Sequence, residues 1–160
     1  MEIKYLKAAQ KAKEIHGSKN KPATIEEISQ LESQAGVNFP IAYKEFLFLC
    51  GNGSSMLGDF NHEITEAFDR QAKVQELLDE VDFKLEKPYW VIGDLDGGYQ
   101  FYFFYFGDGK DPENPPVYIC DRPYWEEGEV GDDWEYIRKM SDSFSSFIEG
   151  LIKYRKSVGY

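Results

Sequence analysis

The stretch from Tyr99 to Phe106, YQFYFFYF, is aromatic at every position but one. Aromatic residues favour strands, and successive side chains of a strand point to opposite faces. A strand with rings on both faces has no side to turn to water, so this one is predicted to be central in its sheet, with a helix layer over one face. The fold class follows: α+β, a single domain over residues 1–160, with an antiparallel or mixed β-sheet packed against several α-helices. A 160-residue chain is long enough, since a domain of that size buries roughly 70% of its unfolded surface without cross-links. Trp90, Val91 and Ile92 read as a partner strand ending at a Gly93-Asp94 turn, and Asp96-Gly97-Gly98 leads into the aromatic strand, as in a hairpin. Gly107 to Pro116 reads as a long turn and Val117 to Cys120 as another strand, while Ser54 to Phe60 is a short strand candidate.

Helices flank these strands. Thr24 and Glu27 have capping-box spacing, and Ile25, Ile28, Leu31 and Ala35 recur at helical intervals as far as Gly36, a natural C-terminal stop. Pro40 restarts the chain as its first helical residue, with Tyr43, Phe46, Leu47 and Cys50 as a second apolar stripe before Gly51. Two helices therefore meet at a corner. Thr65 to Val81 is predicted helical, with Phe68, Ala72, Leu78 and Val81 on one side and Val74 and Leu77 close to it. Ser141 to Tyr154 is the last helix, with Phe144, Phe147, Ile148, Leu151 and Ile152 inward. Glu2 to His16 is a basic amphipathic helix with Ile3, Leu6, Ala9, Ala12 and Ile15 on one face. It reads as a terminal helix packed on the domain, residues 1–22 forming an N-terminal extension. GSKNKPA, residues 17 to 23, is a polar loop.

The net charge is −11, unevenly distributed. Residues 1–22 are basic by +4 and residues 137–160 by +3, whereas Asp94 to Glu135 sets twelve carboxylates against Lys110 and Arg122, a balance of −10. Such a surface repels phosphate, which argues against nucleic acid and for a basic protein partner. The same charge also serves plain solubility. No stretch is apolar enough for a membrane span or signal peptide, so the expected location is cytoplasmic. Cys50 and Cys120 lack metal-ligand spacing and read as reduced core thiols.

Beyond these local patterns the order of motifs is informative. The capped helix, the Gly-Val-x-Phe-Pro corner at Gly36 to Pro40, the Tyr43-x-x-Phe46-Leu47 helix and the Gly51-Asn52-Gly53 turn resemble the SUKH superfamily, which includes many bacterial immunity proteins and a fungal cell-wall-synthesis regulator. The later landmarks are similar too: Trp90 with Ile92-Gly93, Gly97-Gly98 opening a strand, Pro116-Val117-Tyr118, and Ser143-Phe144 with Phe147-Ile148. The resemblance covers roughly Thr24 to Ile152. One position departs, since Tyr99 stands where the family often has a polar or acidic residue. The resemblance implies an immunity protein that neutralises a bacterial toxin, such as a basic nuclease domain, by stoichiometric binding and without chemistry. An intracellular regulatory or scaffold module is the alternative.

The residues themselves suggest no enzyme. His16 and His62 read as surface residues without a neighbouring nucleophile. Glycines 51, 53 and 58 lack the Lys-Ser or Lys-Thr of a phosphate loop. Asp94 and Asp96 flank a turn and are candidates for an acid and base pair or a small-ligand site, but aspartates in such a turn more often bond their own backbone. With Asp108 they lack the regular spacing of a cation loop, and neither a metal nor a cofactor is expected. The site candidate is the acidic aromatic segment, in which Tyr124, Trp125 and Trp134 stand among Glu126, Glu127, Glu129, Asp132 and Asp133, together with Asp94 and Asp96. Two readings of its rings stand: partner anchors, or caps over the core.

Overall fold

The aromatic run does lie inside its sheet. The computed structural model describes residues 1–16, 20–54, 57, 60–121 and 137–158, with residues 13–16 and Asp96 described by their backbone alone. Four strands, β1 (Tyr89–Leu95), β2 (Gln100–Tyr105), β3 (Val117–Asp121) and β4 (Ile137–Ser141), form one antiparallel sheet in the order β1-β2-β3-β4. Strand β2 pairs on both sides, and its alternation splits the core in two. Phe104 and the half-buried Tyr102 meet the helices α1 (Lys7–His16), α2 (Ile25–Ala35), α3 (Ile41–Cys50) and α5 (Phe144–Ser157) in one cluster. Phe101 and Phe103 join Val91, Cys120, Val74 and Leu78 in another, and the last two belong to α4 (Ala67–Glu80) on the opposite face. Described residues thus form an α+β unit, five helices about a four-stranded antiparallel sheet.

The corner pair follows its local signals. Thr24 and Glu27 close the capping box, and Gly36 ends α2 at φ 67°, a left-handed conformation that strains residues with a Cβ. Ile28 and Leu31 are buried, but Ile25 is 47% exposed because the first helical residue faces out. Pro40 is the N-cap of α3, so the helix begins one residue later than expected.

Other boundaries moved for reasons outside the local pattern. Helix α1 starts at Lys7, and the residues before it are held differently. The fully buried carboxylate of Glu45 accepts from the backbone N–H groups of Lys4, Tyr5 and Leu6 at 2.6, 2.9 and 2.9 Å. Ile3, Leu6, Ala9 and Ala12 reach the main core; the side chains of Ile15 and His16 lie outside the described set, as do residues 17–19 of the polar loop. Of the expected 54–60 strand, Ser54 makes a single bridge with Asn20, and residues 55–56 and 58–59 lie outside the described set.

A short 3-10 turn, Ile64–Glu66, precedes α4. Its inward stripe is Ala67, Arg70, Val74 and Leu78, whereas Phe68 and Ala72 face solvent. An arginine occupies a core position, and a search for apolar periodicity discards it. Strand β1 runs past Gly93-Asp94 to Leu95, with a bulge between Val91 and Gly93. Gly93 is there because a Cβ would lie 2.2 Å from the ring of Phe60 and 2.8 Å from Asn61 O. Strand β4, IRKMS, was not expected; it is polar and mostly exposed, and carries no alternation to read.

Candidate functional site

One end of the sheet, where β1 turns into β2, holds Asp94 and the backbone of Asp96, the two singled-out residues that fall among the described ones. Strand β1 passes into β2 through a 3-10 turn, Asp96–Gly98, in which Gly97 and Gly98 have φ of 69° and 94°. A Cβ on Gly98 would sit 3.2 Å from Leu77 Cδ1 and 3.4 Å from Lys73 Cε, so the tip rests on α4. Tyr99, just past it, is 49% exposed.

Beside the tip, Asp94 is fastened three ways. Its N–H and C=O exchange bonds with Asn61 at 2.9 and 2.8 Å, and its carboxylate meets Arg70 Nε at 3.3 Å. Arg70, nearly fully buried, also donates from Nη2 to Glu63 O at 2.9 Å, while its Nη1 has no partner among the described residues. Asn61 Nδ2 donates to Glu66 Oε2 at 2.6 Å. Asp94, Arg70, Asn61 and Glu66, with Asp69 and Lys73, line a hollow of about 140 Å³. It offers both signs of charge. Asp94 thus points inward, with its side chain 10% exposed, and works as a clasp between β1 and α4. The Asp96 side chain lies outside the described residues.

Across the sheet edge lies an apolar hollow of about 280 Å³, lined by Leu57, Phe60, Leu95, Tyr102, Leu151, Tyr154, Arg155 and Val158. Tyr154 and Val158 are more than half exposed. At the same end, Asp121 accepts from Gln100 and, at 3.0 Å, from Arg138. Asp121 pairs with Gln100, which pairs with Leu95 beside the hairpin tip. Cys120 pairs with Ile137, so the chain leaves β3 and enters β4 at this end. Tyr124, Trp125, Glu126, Glu127, Glu129, Asp132, Asp133 and Trp134 lie between those points, outside the described residues.

His62 is a correction, being only 3% exposed. Its Nδ1 lies 3.1 Å from Phe60 O and its Nε2 3.1 Å from Cys50 O. Burial lowers its pKa below the ordinary 6.5, against the opposing pull of the two carbonyls. Both cysteines are buried, and burial pushes the Cys120 thiol up to about 12. Among the described residues no group of three His, Cys, Asp or Glu is placed to hold a metal, and no helix is long and apolar enough to cross a membrane.

Sequence reasoning missed Arg70, Asn61 and Gln71, all polar residues serving β1 from segments far away in sequence. Their one signal was negative: polar positions on the inner side of a predicted helix, or in a loop. No curated protein matches the sequence. The pattern of the SMI1 / KNR4 family (SUKH-1) does match, over residues 22–150. That span runs from the entry to the capped helix α2, through the whole sheet, to the middle of α5, and the chain belongs to this family.

Proposed function

We propose that the protein is a non-enzymatic immunity protein that binds a cognate bacterial toxin one to one in the cytoplasm and blocks it. The toxin chemistry that fits is a basic domain of the nuclease type, whose substrate site must be positive to hold phosphate. Carboxylates of the inhibitor then stand in for that phosphate. Family membership makes a protein-binding role the first expectation. The observation that carries the reading further is positional: the segment with the densest negative charge starts and ends, at Asp121 and Ile137, on the sheet end that also holds Asp94 and the hairpin tip. In this proposal Trp125 and Trp134 are the anchors, and Glu126, Glu127, Glu129, Asp132 and Asp133 steer the encounter.

The test begins with a tagged-protein pull-down from the source organism's lysate, eluted along a salt gradient, because salt screens exposed charge pairs. The expected result is one basic polypeptide released late in the gradient. Several unrelated partners would favour a regulatory module instead. With the toxin in hand, Trp125→Ala and Trp134→Ala should each weaken binding by about 2 kcal/mol, and the rim carboxylate variants should mainly slow association. Unchanged affinity in both tryptophan variants, with the fold intact, would remove the segment from the interface.

A further inference from the structure

Among the described residues β1 is an edge strand of the sheet, bridged at Asp94 by the backbone of Asn61, and at Val91 a side chain occupies the place of a neighbouring strand. Phe106 N–H donates to Pro88 O at 3.0 Å, so residue 88 faces β2, as does Trp90 opposite Phe104. By the alternation of an antiparallel ladder, the backbone groups of Tyr89 and Val91 face outward. At Val91 they are taken. Its N–H donates to Gln71 Oε1 at 2.8 Å, and its C=O accepts from Gln71 Nε2 at 2.9 Å. A carboxamide holds a donor and an acceptor in one plane, so Gln71 makes with Val91 the two-bond exchange that a residue of an adjoining strand would make.

Along the same edge runs a cleft of about 720 Å³, within the range of roughly 300–1,000 Å³ typical of ligand sites. Ala72 and Gln75 of α4 form one wall, Ala35 and Val37 at the end of α2 form the other, and Tyr89 and Phe106 lie between them. The flanking charges, Glu86 and Lys87, are of opposite sign, so the cleft selects neither an anion nor a cation. The other edge of the sheet is different. Strand β4 carries exposed Arg138 and Lys139, the usual protection against strand addition, whereas the β1 edge is closed by the Asn61 backbone only at Asp94 and at Val91 by one exchangeable side chain.

We propose that this cleft receives an extended, uncharged peptide segment of a partner protein, which adds to β1 as a further strand. The segment pairs with Tyr89, replaces the Gln71 carboxamide at Val91, and seats a small apolar side chain between Val37 and Ala72. Backbone pairing supplies the affinity and the two walls supply the selection. The inference stands on the edge geometry and does not depend on the toxin reading.

The probe is a peptide enriched from a library of short random linear sequences panned against the full chain. Amide spectra of the labelled protein should show the largest shifts at the Tyr89 and Val91 N–H and at the Gln71 side-chain NH₂. N-methylation of the peptide at alternate residues should weaken it about tenfold or more, because each such change removes a pairing donor. Gln71→Ala should tighten binding, since nothing then has to be displaced, and Ala72→Arg, at an exposed helix position, should abolish it. Trp125→Ala and Trp134→Ala should leave it unchanged, which separates this site from the acidic segment. No enrichment over an unrelated control protein, shifts centred elsewhere, or indifference to N-methylation would each overturn the proposal.

Discussion

His62 sits between two carbonyl oxygens, and only a protonated imidazole can donate to both. Burial opposes that form more strongly than the carbonyls favour it, and the nearby Arg70 adds to the opposition. The folded state therefore keeps the ring neutral to lower pH than the unfolded chain does. As pH falls through 6.5, the unfolded chain takes up the proton first and is stabilised relative to the folded one. Stability from this residue is complete above that value and is lost progressively below it. Urea midpoints should drop between about pH 7.5 and about pH 5.5, and His62→Gln should flatten that drop. An equal slope in the variant would assign the effect to other groups. Neither His62 nor Gly93 was legible as a core feature. A histidine in a loop gives no local sign of burial, and the glycine is required by Phe60, a residue 33 positions away that crosses the strand.

At the scale of elements, caps divide into those carried by the helix itself and those lent by distant chain. The box at Thr24 was readable because its two partners are three residues apart. Helix α3 has no side-chain cap from its own Pro40; instead Glu113 accepts from Ile41 N–H at 2.8 Å through its carboxylate and from Ala42 N–H at 2.9 Å through its carbonyl. Asn114 next to it donates to Ser145 Oγ and accepts from Ser145 N–H, both at 2.9 Å, in the first turn of α5. Two adjacent loop residues thus finish two helices. The sequence marks GDGKDPENPP only as a turn, since capping across 72 residues leaves no local spacing to detect. Glu113→Ala and Asn114→Ala should each lower stability by about 1 kcal/mol in urea unfolding. A loss within error for both would mean that solvent caps these helices equally well.

At the scale of the whole molecule, fold class, central strand and family were legible because aromatic alternation and the order of helix signals are properties of the chain in sequence. The candidate site was legible only in outline. Asp94 was visible, but its partners Arg70 and Asn61 come from other elements, and a polar residue facing a core looks like an error in a stripe until its partner is known. The sheet also keeps the two thiols apart, Cys50 in the cluster with α3 and Cys120 in the cluster with α4. Each is sealed, so an alkylating reagent reaches it only when its own layer opens. The wild-type chain therefore carries two separate clocks. Single-cysteine forms, Cys50→Ala and Cys120→Ala, labelled in mild denaturant, should give equal rates if the layers open together. Unequal rates would reveal which side of the sheet loosens first.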